Sequence, residues 1–231
     1  AVNARIEQTA IDSAQQRQSA QQKQRRTAES AVTIATPVSQ EFKVRIDAAI
    51  AKLPQAIKDI IADTDINIQI GDRLTNIRPD LKGVRPRGWD EGDTWDNVEG
   101  CARGNVAIIA EKHISRITGN EKPNNRVEGA LNHELGHAID HEVGIRDNAK
   151  FVSAYMNDVA KFGPTEKKVM AYFVQEGNAG RSEVVAEGIA ILAGKGSATG
   201  DNDDKVFRKL FPQSLKVIAN MVNQRAKTRR A

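Results

Sequence analysis

A chain of 231 residues is long enough for one large domain, or for one domain with an extension, and 39% hydrophobic content is too high for a disordered protein yet low for a compact enzyme, which puts part of the chain outside the core. No window approaches the roughly 18 apolar residues of a membrane span, and the single cysteine, Cys101, excludes an intrachain disulfide. A net charge of +4 with only 4% aromatic residues argues against a nucleic-acid face; the small basic clusters at 23–26 and 227–230 read as solvated ends.

Residues 1–31 are low in complexity. "SAQQRQSAQQKQRRTAES" is rich in Gln, Ala, Ser and Arg and holds almost no large apolar residue after Ile11. Ala, Gln and Arg favour helix, but no apolar stripe exists to pack it. The expected organisation is therefore an exposed helical or disordered arm over 1–36, able to hold an assembly partner, and a folded domain over 37–231. "AVNARIEQTA" has no apolar signal core; secreted and virion-associated settings both fit.

From Gln40 the pattern tightens. Phe42, Ile46, Ala49, Ile50, Leu53, Ile57, Ile60 and Ile61 recur at helical spacing, with Pro54 opening a second segment. "DINIQIG" (65–71) alternates as a half-buried strand. The proline-, glycine- and tryptophan-rich stretch that follows reads as a long loop, and "GNVAIIAEKHI" (104–114) as a second strand. Helices are expected over roughly 126–143, 148–161, 165–174, 181–193 and 205–228, with Pro212 interrupting the last. This order predicts an α+β fold: a small mixed or antiparallel sheet packed on the 126–143 helix, then a mostly helical C-terminal lobe.

Three of the four histidines, His133, His137 and His141, fall within "LNHELGHAIDH" (131–141). His133 and His137, at i and i+4, share a helical face and can reach one zinc ion. Glu134 is placed to act as general base on a metal-activated water. The competing reading is a surface histidine cluster. Gly136 costs a helix about 1 kcal/mol against alanine, so a close backbone approach is expected there. His141 lies about 12 Å along the axis from His133, too far to share its metal. Asp140 is expected to accept a hydrogen bond from a ligand imidazole and fix its tautomer. The extended pattern with a third local histidine would need Gly at 140 and His at 143; the chain has Asp140 and Val143. A third ligand must come from elsewhere. In "RSEVVAEGIAIL" (181–192), Glu183 and Glu187 share one face of a buried-looking helix, and spacing allows either to ligate. Glu176 is a further candidate; a solvated face pairing with lysines is the bland alternative.

"ALNHELGHAIDHE", "SEVVAEGIAIL", "LFPQSL" and the upstream "WDNVEGCARGNVAIIAE" resemble the metallopeptidase domain of the anthrax-lethal-factor-like family, which includes bacterial Pro-Pro endopeptidases. The resemblance covers about 89–220. It implies a zincin-like domain with Zn2+ held by His133, His137 and Glu183, Glu134 as general base and Glu187 as a supporting carboxylate. It also implies that Tyr172, in "AYFVQEGNAGRSE", stabilises the oxyanion. Here "QEGNAG" lengthens the gap to Glu183, and Tyr172 reads equally as a core residue beside Phe173; Tyr155 lies too far upstream. The chain departs from the family where "VVAEGIA" replaces aromatic residues.

The expected function is a zinc endopeptidase acting on a peptide or protein extended against an edge strand at 105–110. The alternative is a structural or assembly component, such as part of a phage virion or a delivered toxin module, in which the domain is accessory or inactive.

Overall fold

The computed structural model describes residues 26–86, 89, 91–196 and 201–228. Among these the chain is mixed α+β, with five short strands and nine helices. The N-terminal half builds the sheet: β1 (Val32–Ile34), α1 (Gln40–Lys52), α2 (Gln55–Asp63), β2 (Asn67–Arg73), the single turn α3 (Leu74–Ile77), β3 (Gly100–Arg103), β4 (Val106–Ile114) and β5 (Glu121–Pro123). The remainder is helical: α4 (Val127–Val143), α5 (Ala149–Val159), α6 (Pro164–Val169), α7 (Ala179–Leu192), α8 (Asp201–Leu210) and α9 (Pro212–Lys227). Among the described residues no helix is long and apolar enough to cross a membrane.

The strand order is β1-β2-β4-β3, parallel for β1, β2 and β4 and antiparallel for β3; β5 pairs antiparallel with the far end of β4. Successive side chains of β4 enter different clusters, as strand alternation requires. Ala107 and Ile109 join Ile68 and Ile70 in the main core, against α1, α2 and α4. Ile108 and Ala110 join Leu74 and Cys101 in a second cluster, covered by Ile77, Leu81, Trp95 and Val98. The stretch expected as a plain loop is therefore a folded cover for the sheet's other face, which is why "AIIA" can be apolar at every position.

Local signals place the helices. Ser39 caps α1 by accepting from Phe42 N at 3.1 Å, and Pro54 is the N-cap of α2. Pro212 opens α9, where the buried Asp158 accepts from the backbone N–H and the hydroxyl of Ser214, both at 2.9 Å. Phe173, Phe207 and Phe211 form an aromatic cluster that seats the turn before α7.

The boundary expected at residues 36/37 runs through a packed segment. β1 is part of the sheet, Ala28 and Ala31 are buried, and the Arg26 guanidinium donates to the Thr64 and Ile66 carbonyls. Residues 1–25 of the arm expected over 1–36 lie outside the described residues.

Candidate metal centre

The start of α4 is tied to the sheet by Asn124, which is fully buried. Its side-chain amide donates to the Ala110 carbonyl on β4 at 3.0 Å, and its side-chain oxygen accepts from Arg126 N at 2.8 Å. Val127, Leu131, Leu135, Ala138 and Ile139 then bury one face of α4, and His133 and His137 turn toward α7. At Gly136 an added Cβ would lie 2.5 Å from the Ala186 carbonyl oxygen and 2.7 Å from Ala186 Cα. Those are backbone atoms that cannot swing away, so glycine is what lets α4 and α7 touch. This is the close approach expected from its position. On its other side, Gly188 of α7 faces the side-chain ends of Ile218 and Leu215 on α9.

Backbone contact between α4 and α7 brings the side chains together. Glu183 Oε2 stands 3.3 Å from His133 Nε2 and 3.4 Å from His137 Nε2, and the three donor atoms lie within 4.8 Å of one another. Tetrahedral zinc with bonds of about 2.1 Å sets its ligand atoms about 3.4 Å apart. Glu183 Oε2 is also buried without an aligned hydrogen-bond partner. A buried carboxylate oxygen left unbonded between two imidazoles is what a cation would satisfy, so the residues fit a metal. Glu187 Oε2 lies 2.9 Å from His133 Nδ1; with Nε2 as the donor atom, Nδ1–H donates to Glu187. Glu176 is exposed and outside the cluster. His141 is exposed at the mouth, beside Gly104.

Asp140 is not placed as expected. Its carboxylate accepts from Arg146 N at 2.8 Å and pairs with the Arg146 guanidinium at 3.0 Å. The group at His137 Nδ1 is instead Ser182 Oγ, at 3.3 Å. The chain reverses after Gly144, whose left-handed φ of 71° ends α4, so Asp140 meets the segment beyond the helix. Neither Ser182 nor Arg146 was singled out by the sequence: Ser182 is visible only as the neighbour of Glu183, and Arg146 only as the second residue after a helix-ending glycine.

The buried charged groups of the centre act strongly on one another. Burial disfavours the charged form of Glu183, but the adjoining His133 and His137 imidazoles outweigh it and hold the carboxyl well below the usual range. Burial likewise works against His133 as a cation, yet Glu183 and Glu187, with the field of Glu134, raise its pKa to about 10. Burial raises Glu134, the nearby Glu183 adds to the rise, and the two imidazoles oppose it. Three carboxylates thus crowd two imidazoles, a field that favours a dication. Burial, followed by the charge of Glu134, pushes the Cys101 thiol up to about 12, so it stays protonated.

His133, Glu134, His137, Glu183 and Cys101 line a cleft of ≈530 Å³. Tyr172 lies on its wall, 40% exposed, on the 3-10 turn Ala171–Val174 that interrupts the helix expected over 165–174. Gly180 seats that turn, since a Cβ there would meet the Phe173 carbonyl oxygen at 2.6 Å. The core tyrosine is Tyr155, which is buried and donates to the Phe173 carbonyl at 3.0 Å. The edge strand expected at 105–110 is not an edge: over 106–109, β4 is paired with β2 on one side and β3 on the other. The strand on the cleft is β3, which pairs only with β4 among the described residues. It runs beside α4 in the same direction, with Glu99 at Arg126, Gly100 at Glu134 and Gly104 at His141.

No curated protein matches the chain. A family model described as "Anthrax toxin lethal factor, N- and C-terminal domain" matches residues 19–180. The match begins far upstream of residue 89, where the resemblance was placed, and includes "HELGH" and Tyr172. It ends before Glu183, so Glu183 and Glu187 lie outside the matched residues. With well over half of its length matched, the chain belongs to the anthrax toxin lethal factor family.

Proposed function

We propose that this protein is a zinc-dependent endopeptidase, of the type that joins a His-Glu-x-x-His helix to a distant glutamate. The observation that carries the reading is the convergence of the two imidazole Nε2 atoms and Glu183 Oε2 on one point, beside Glu134 in an open cleft. Two nitrogens and one carboxylate oxygen are a donor set that suits zinc. Bound there, zinc would polarise the scissile carbonyl and acidify the attacking water.

The chain's own residues supply the rest. Glu134 accepts the proton of the attacking water and delivers it to the leaving amine. Tyr172 hydrogen-bonds the developing oxyanion from the cleft wall. Glu187 holds His133 with Nε2 toward the metal position, through Nδ1. An extended peptide pairs its main chain with β3 rather than with β4, with Gly100 keeping that strand close to Glu134. The substrate is a peptide or protein segment.

Metal analysis of protein purified without chelator, paired with cleavage of a peptide library, tests the proposal. About one zinc per chain and cleavage that is lost on chelation and restored by Zn2+ are expected. Cleavage unchanged after complete zinc removal overturns the proposal.

A further inference from the structure

The two histidines of the metal centre are supported differently. His133 Nδ1 faces a carboxylate, Glu187. His137 Nδ1 faces a hydroxyl, Ser182 Oγ, at 3.3 Å, and the same oxygen accepts from the Arg146 guanidinium at 3.2 Å. Arg146 is gripped twice by Asp140, through its backbone N–H and through its guanidinium. The Asp140 side chain has no solvent exposure. Gly144 N–H bonds the Asp140 carbonyl at 2.7 Å, and Ile145 is fully buried, so the turn that aims Arg146 back at α4 is pinned on both sides.

We infer that Asp140, Arg146 and Ser182 form a relay that orients His137 toward the metal, with Arg146 as its positioning residue; the inference rests on the zinc reading of the site. With Nε2 as the donor atom, His137 Nδ1 carries the proton and donates to Ser182. Arg146 has only N–H donors and also donates to Ser182. The serine oxygen then accepts from both, one lone pair each, and the imidazole plane is set by a group that is itself held. A serine alone would rotate freely. Asp140 neutralises Arg146, so the relay adds no net charge beside the metal position. It therefore works by geometry and not by field. A lysine at 146 would keep the ion pair with Asp140 but could not grip Asp140 and Ser182 at once, because only the guanidinium presents a rigid fork.

Competitive zinc titration of the metal-free protein tests this on the parent, Ser182→Ala, Arg146→Lys and the double variant. Loss of a residue that supports a metal ligand typically lowers affinity about 10–100-fold. Each single variant is expected at the lower end of that range, and the double variant no weaker than the weaker single one, because both changes cut the same relay. Cobalt-loaded Ser182→Ala should show altered visible absorption, while its metal-free melting temperature stays within a few degrees of the parent. Single variants within two-fold of the parent, or losses that multiply in the double variant, overturn the relay while leaving the zinc site intact. A parent that binds no zinc overturns both.

Discussion

At the scale of single residues, Glu183 and Glu187 face the two histidines differently from α7. Both are near-buried, yet only Glu183 reaches both Nε2 atoms, and Glu187 touches the far side of His133. Glu183→Ala is therefore expected to lower zinc affinity by several orders of magnitude, and Glu187→Ala by about 10–100-fold. Competitive titration ranks them, and a metal-free Glu187→Ala beside a zinc-bound Glu183→Ala would reverse the assignment. His133 adds a pH signature. In the metal-free protein its pKa is raised from 6.5 to about 10, burial being outweighed by Glu183 and Glu187. Its contribution to metal-free stability is thus full below pH 6.5 and lost as pH rises to about 10. Over that same window zinc must displace its proton. Calorimetry in buffers of different ionisation enthalpy should record about one proton released per zinc near pH 7.5, and less toward pH 10. The histidines and both glutamates were readable because i, i+4 spacing survives any packing of the helix. Asp140, Ser182 and Arg146 were not, because their partners depend on where the chain turns after Gly144.

At the scale of elements, the contact of α4 with α7 decides whether there is a site at all. Helix propensity alone says that Gly136→Ala should stabilise by about 1 kcal/mol. Packing says the opposite, since the new methyl would meet backbone atoms of Ala186 at 2.5 and 2.7 Å. Overpacking of this kind costs about 1–3 kcal/mol or more, and here the neighbour cannot change rotamer. Gly136→Ala should lower both the melting temperature and the zinc affinity, measured by calorimetry and titration; a rise in melting temperature would show that the helices are further apart. Long periodic elements were readable: α1, α2, α4 and α7 fall close to where their apolar spacing put them, and β2 and β4 carry clear strand patterns. β1, β3 and β5 span only three or four residues, too few for a period of two to register. That is also why β4 read as an edge.

At the scale of the whole molecule, the sheet extends further toward the N-terminus than hydrophobic content alone indicates. Small residues do the packing there: Ala28 and Ala31 are buried, and β1 extends the sheet beyond β2. A chain starting at Pro37 loses this edge, whereas one starting at Arg26 keeps it. For a chain of this length each kcal/mol moves the melting midpoint by roughly 2–4 °C, and loss of the β1 ladder with two buried alanines should lower it by roughly 5–10 °C on that scale. Equal midpoints for both truncations would show that 26–36 contributes nothing.

On the proposed reading, one carboxylate, Glu134, stands next to the metal position without being a ligand. Glu134→Gln separates those roles more directly than any other change. Zinc content and peptide hydrolysis should be measured on the same preparation of Glu134→Gln and parent protein. About one zinc per chain with hydrolysis reduced by at least roughly 10²-fold, the scale of a lost general base, is the expected result. Hydrolysis by Glu134→Gln at the parental rate, with zinc in place, would contradict it.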